Sequence, residues 1–180
     1  DCRNTKDLFG KLQPELILQD AGKPGFGSYH DLADWGMDVL HCGSSLGAGG
    51  LAIIDNDSLY RLGLTESHKF ISICEGPVRS IFELHYEGWK VEDKILGATE
   101  RITIWEGKYW FESAVQVRNF SGSKGLVTGL VTSKLDQEPI FFKADSKYSS
   151  ILLHGKQSLN NDILAMAVLA PDNEINKVAE

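Results

Sequence analysis

Two regions of the chain concentrate side chains able to move protons or bind anions. The first is the segment 28–50, SYHDLADWGMDVLHCGSSLGAGG, which gathers two histidines, three aspartates, Tyr29, Trp35 and a glycine-rich end into one connection. Connections of that length are more often functional than idle. His30 can take a proton because imidazole titrates near neutral pH, and Tyr29 can serve as an acid beside it. The second region, within 78–119, carries His85, Arg79, Arg101, Trp110 and Glu112. Arginine clamps a carboxylate through paired hydrogen bonds that lysine does not reproduce. Trp35 and Trp110 can stack on rings, and Asp38 and Glu112 add hydrogen-bond acceptors.

Sharper motifs fail on context. The run Gly43-Ser44-Ser45-Leu46-Gly47 has the letters of a nucleophile elbow, but the strand that follows it, Leu51 to Ile54, is not preceded by a helix. The glycine stretch through Gly50 matches neither phosphate-cradling pattern and sits in no strand-helix-strand unit. Its glycines are better read as allowing tight turns or close backbone approach. Asp31, Asp34 and Asp38 with His30 and His41 fit no standard calcium or zinc spacing, so structural hydrogen bonding is the preferred reading. Cys2, Cys42 and Cys74 are odd in number and lack CxxC spacing, and they read as free or buried thiols. No metal and no cofactor is expected.

The elements that must position these groups are strands. Apolar, β-branched and aromatic runs alternate with Gly, Asn, Asp and Ser clusters, and no amphipathic helix stands out. The expected strands are Glu15 to Gln19, Leu51 to Ile54, Leu59 to Leu62, Lys69 to Cys74, Val78 to Trp89, Ala98 to Trp105, Lys108 to Asn119, Leu126 to Lys134, Pro139 to Lys143, Ser149 to His154 and Ile163 to Leu169. They predict an all-β, antiparallel β-sandwich whose sequential strands pair as a meander. Asp55-Asn56-Asp57-Ser58 and Glu106-Gly107 have hairpin-turn chemistry. Side chains alternate across a sheet, so three of these strands can be read face by face. One face collects Phe82, Leu84, Tyr86, Ile102, Val115 and Val117. The other collects Arg79, Glu83, His85, Arg101, Thr103, Trp105, Trp110, Glu112, Gln116 and Arg118. A solvated sheet face also carries Arg, Glu and Gln. The two tryptophans favour a sugar-acid cleft instead.

At 180 residues the chain is sized for a single domain, and it is 42% hydrophobic and 24% charged with a net charge of −7. That balance excludes disorder, and no Lys/Arg cluster suggests nucleic acid. The longest apolar run, Ile163 to Ala170, is far short of the roughly 20 residues of a membrane-spanning helix. Asp1 to Phe9 contains no signal-peptide pattern and reads as the middle of something, so residues are expected to be missing from the termini.

Tyr29-His30, Asp34-Trp35-Gly36-Met37-Asp38-Val39-Leu40, Gly43-Ser44-Ser45-Leu46-Gly47-Ala48-Gly49, Leu59-Tyr60-Arg61 and Glu75-Gly76-Pro77-Val78-Arg79-Ser80 together resemble the bacterial family called domain of unknown function 4861 (DUF4861). The likeness extends over most of the chain. It implies a galactose-mutarotase-like supersandwich, export to the periplasm or beyond, and a role in polysaccharide degradation with an oligosaccharide or polysaccharide as partner. By analogy with related folds it implies elimination from a uronate, by a lyase or a dehydratase. Such chemistry needs a base (His30 or His85), an acid (Tyr29), and a carboxylate clamp (Arg79 and Arg101). Trp35, Trp110, Asp38 and Glu112 would bind substrate. Three alternatives stand beside it. A glycoside hydrolase would use two carboxylates, Glu83 with Glu112 or Asp38, about 5 to 10 Å apart. A noncatalytic carbohydrate-binding module would use Trp35, Trp105 and Trp110 as a platform, and an epimerase or mutarotase would use a histidine and a carboxylate.

Overall fold

The computed structural model describes residues 3–121, 124–143 and 147–174. The protein is all-β, with strands β1 (Phe9–Lys11), β2 (Gly36–Asp38), β3 (Ala48–Asp55), β4 (Ser58–Arg61), β5 (Ser67–Glu75), β6 (Arg79–Val91), β7 (Lys94–Trp105), β8 (Phe111–Arg118), β9 (Gly125–Leu130), β10 (Ile140–Lys143), β11 (Tyr148–Lys156) and β12 (Ile163–Pro171). They form sheets ordered β1-β2, β4-β3-β9, β5-β6-β7-β8 and β10-β11-β12. The last two are the antiparallel meanders that the strand spacing predicts.

The expected strand Glu15 to Gln19 is instead a set of turns, in which Ala21 N–H donates to the Ile17 carbonyl. Its apolar residues Leu16 and Leu18 are exposed, so no sheet face rewards extension. Conversely β1 and β2 escape sequence reading because three residues are too few to show alternation. Their pairing sets Lys11 opposite Gly36, whose positive φ and missing Cβ let the Gly10 carbonyl approach. The Asn56 and Asp57 backbones both have positive φ, as the tight turn between β3 and β4 requires.

The chain divides into two compact units, one of residues 1–4 and 51–127 and one of 5–50 and 128–180. In the first unit, Leu51 and Ile53 of β3 and Tyr60 of β4 pack against Tyr86, Trp89, Val91, Leu96, Ala98, Val115 and Val117 of β6 to β8. That is sheet on sheet, with a core of interdigitated side chains. A bulge at Gly88 shifts the register between Glu87 and Trp89. Before it the even-numbered residues of β6 face the core; after it Trp89 and Val91 do. One inserted residue thereby changes the face of the strand, which period-two reading cannot anticipate.

At the far end of the same apolar face, Val78, Phe70, Ile104 and Phe111 stay exposed. Glu100 lies fully buried on it, accepting hydrogen bonds from Asn4 Nδ2 and Ser113 Oγ, each at 2.6 Å. Asn4 also accepts from the Leu51 N–H and donates to the Leu62 carbonyl, stitching the start of the chain into this unit.

In the second unit Leu153 and Met166 of β11 and β12 pack with Leu8, Leu40, Ala48 and Val131. The opposite face of that sheet exposes Ile140, Phe142, Ile163 and Leu169.

Candidate functional site

On β6 to β8 the register brings the polar residues of the open face into rows. Glu83 stands directly opposite Arg101, His85 opposite Thr99, and Arg79 opposite Trp105; Thr103 faces Glu112 and Thr99 faces Gln116. Glu83 is the hub. Its Oε2 lies 2.7 Å from His85 Nε2, and its Oε1 accepts from Arg101 Nε at 2.9 Å and Nη2 at 2.6 Å. Only 15% of the Glu83 side chain is exposed. The hydrogen bond from His85, followed by that from Arg101, holds the Glu83 carboxyl below the usual carboxylate range, so it remains an anion in mild acid. In the neutral tautomer that donates through Nε2, the other ring nitrogen of His85 carries a lone pair, and Arg101 keeps Nη1 for a further acceptor.

Arg79 lies apart from this hub. Its guanidinium sits over the Trp105 ring, 5.1 Å from the centroid. Among the described residues no carboxylate forms an ion pair with it. Four residues separate Arg79 from Glu83, which at the rise of an extended strand is about 13 Å. Arg118, at the other end of the face, is tied to Glu87 and to Thr99 Oγ1. Gly97 between them leaves the room that this pair occupies.

The second unit holds the other predicted group. His30 Nδ1 lies 3.0 Å from Oδ2 of Asp38, which is 4% exposed while His30 is 57% exposed. Asp38 Oδ1 accepts from the Leu40 N–H, and the Asp38 N–H donates to the Tyr29 carbonyl, which draws residues 29, 30 and 38 together. Burial pushes the Asp38 carboxyl up, with Leu40 and His30 pulling against it. The Tyr29 and His30 rings lie 4.3 Å apart.

Phe9 and Phe26 pack around Trp35. Trp35 is 7% exposed, so its rings face protein rather than a ligand, and Phe9 packs against both it and Tyr29.

The residues singled out from sequence thus separate into two groups. His85, Arg101, Arg79, Glu112 and Trp110 belong to the first unit, and Tyr29, His30, Trp35 and Asp38 to the second. Trp110, half exposed, precedes β8 rather than lying in it, and Glu112 is exposed on β8. Sequence reading left Glu83 as one half of a hydrolase pair and missed its role as shared acceptor. The i, i+2 spacing to His85 was a visible signal, whereas its pairing with Arg101 depended on register. Trp105 gains its significance from Arg79, and its buried indole N–H has no acceptor among the described residues. Among the described residues no group of three or more His, Cys, Asp or Glu side chains could hold a metal ion. Cys42 Sγ lies 3.4 Å from the Lys6 carbonyl oxygen and from Asp7 Oδ1, Cys74 is a half-buried free thiol, and Cys2 lies outside the described residues. No helix of the described residues is long and apolar enough to cross a membrane.

Fold and site define an all-β protein of antiparallel sheets that displays an ionic imidazole-carboxylate-guanidinium cluster on an open sheet face. The chain belongs to the family described as Domain of unknown function (DUF4861), which matches residues 1–180. It is similar to the "Uncharacterized protein P7" of Formosa agariphila, with 28% identity over 137 residues, covering 72% of this chain and 33% of that protein. The chain therefore spans about a third of the length of the curated relative it matches. No solved structure matches it.

Proposed function

We propose that the protein acts on uronate-containing oligosaccharides by elimination, as a lyase or dehydratase, at the open face of β6 to β8. The observation that carries this reading is Glu83 holding His85 and Arg101 side by side. Arg101 takes the substrate carboxylate through its remaining donors, which stabilises the negative charge that develops there. His85 removes the proton from the carbon bearing that carboxylate. The electrons of the broken C–H bond form the new double bond, and the adjacent C–O bond breaks with its pair on oxygen. That oxygen leaves with the proton that the imidazole has just taken up, which returns His85 to its neutral form and balances the step. Glu83 fixes the imidazole and stays an anion throughout, in the way a carboxylate orients a catalytic histidine.

His30, oriented by buried Asp38 and flanked by Tyr29, is the alternative base. A noncatalytic carbohydrate-binding role is the second reading, favoured by the exposure of Trp110 and Tyr109 ahead of β8. A protein of polysaccharide degradation would work in the periplasm or outside the cell, and export is part of the proposal.

The test is mass spectrometry of a uronate-oligosaccharide panel incubated with wild type, His85→Asn and His30→Asn. Unsaturated or dehydrated products that vanish with His85→Asn, and persist with His30→Asn, support the reading. The reverse pattern moves the base to His30, and binding without any product establishes the noncatalytic role.

A further inference from the structure

We infer that the face of β6 to β8 carries two anion-recognition stations and selects an extended, multiply carboxylated glycan over a single sugar acid. This rests on the proposed reading of the ligand as a uronate sugar, and it moves Arg79 away from the reacting centre. The first station is Arg101 beside Glu83 and His85, and the second is Arg79 over Trp105.

Both strands agree on their separation. Glu83 is opposite Arg101 and Arg79 is opposite Trp105, so the stations are four residues apart on β6 and on β7 alike. At about 3.3 Å per residue that is about 13 Å, longer than a single pyranose ring. One small acid can occupy either station but not both. An oligomer carrying carboxylates on separate rings can bridge them, and the second contact then forms at high effective concentration.

The stations differ in charge. Arg101 is largely compensated by Glu83, and Arg118 by Glu87. Arg79 has no ion-pair partner among the described residues, and its guanidinium carbon lies 5.1 Å from the Trp105 ring centroid, within cation–π range. An uncompensated guanidinium held beside an indole is suited to bidentate carboxylate capture. Between the stations lie Thr103 and, across from it, Glu112. A carboxylate there repels a uniformly anionic strand but accepts hydrogen bonds from sugar hydroxyls. The spacing therefore fits a chain in which acid groups alternate with hydroxyl-bearing positions.

The experiment is isothermal titration of the protein with galacturonate monomer, dimer, tetramer and hexamer, with pentaglutamate as a non-sugar polyanion. To separate binding from turnover, all titrations use the His85→Asn background. Affinity is expected to rise steeply with length beyond the dimer. Arg79→Gln should lower tetramer affinity by about tenfold or more while the monomer, which keeps the Arg101 station, loses less, because only the longer ligand loses a bridging contact. Arg79→Lys should recover part of the loss. Equal losses for monomer and tetramer, or affinity independent of length, would overturn the two-station arrangement. Tight, length-dependent and Arg79-dependent binding of pentaglutamate with none for galacturonates would retain the stations and refute the sugar reading.

Discussion

Replacing Gly47 with alanine should destabilise the protein far more than the same change at Gly43, although both glycines have positive φ. Gly47 has φ +66° and Gly43 φ +51°, so each substitution incurs the left-handed cost of roughly 1 to 2 kcal/mol. At Gly43 a new Cβ would meet only the His41 ring, with Nε2 at 3.4 Å, and that side chain can move. At Gly47 the Cβ would run into the Lys6 carbonyl oxygen, with Thr5 Cγ2 at 2.9 Å and Cys42 Sγ at 3.1 Å. The Lys6 carbonyl cannot simply swing away, because it accepts the Ala48 N–H at 3.0 Å. Nor can Gly47 retreat, since its N–H donates to Ser45 Oγ and its carbonyl accepts the Val131 N–H at 2.8 Å. Relieving the clash therefore loses at least one backbone hydrogen bond, about 1 kcal/mol, and distorts packed chain at a cost of about 1 to 3 kcal/mol. The expected loss is about 3 to 6 kcal/mol for Gly47→Ala against about 1 to 2 for Gly43→Ala. In a chain of this length that corresponds to falls in Tm of roughly 6 to 24 °C and 2 to 8 °C. Thermal and urea unfolding followed by circular dichroism measure both. Equal losses for the two variants would refute the claim that close backbone approach is what requires glycine at 47.

Other consequences concern titration and packing. The Glu83 carboxyl is held below its usual range, so its stabilising contribution is complete above the unfolded carboxylate value and disappears as pH falls through the lower folded value. Glu83→Gln should flatten the acid limb of a stability-versus-pH curve, and an unchanged limb would contradict the hub geometry. Asp38 has the opposite sign: burial raises its carboxyl, so the folded state gives up stability as pH rises through the raised value. Asp38→Asn should gain on the wild type in urea midpoint as pH climbs through the carboxylate range, and a constant difference would argue against burial as the cause. Leu153→Ala, at a fully buried site, should cost about 2 to 5 kcal/mol, whereas Leu169→Ala on the exposed face of the neighbouring strand should stay within about 1 kcal/mol.

Alternation of side chains made the open face of β6 to β8 legible, because its period of two is a local property of extended chain. The same local logic located most strands, the Asn56-Asp57 turn and the structural role of the loop glycines. Which groups on that face meet was decided by register, a relation between residues distant in sequence. Sequence reading set Arg79 and Arg101 together as a carboxylate clamp; the ladder instead placed Glu83 against Arg101 and Arg79 against Trp105. The bulge at Gly88 turned Trp89 into the core, and Trp35, legible as an aromatic for stacking, was enclosed by Phe9 and Phe26. Alternation places Glu100 on the same face as Ile102, and Asn4, 96 positions earlier, joins Ser113 in donating hydrogen bonds to the buried carboxylate. Periodicity selects a face from neighbours along the chain. Only tertiary pairing selects partners across it, and those partners set which carboxylates stay charged and which guanidinium groups remain open to a ligand.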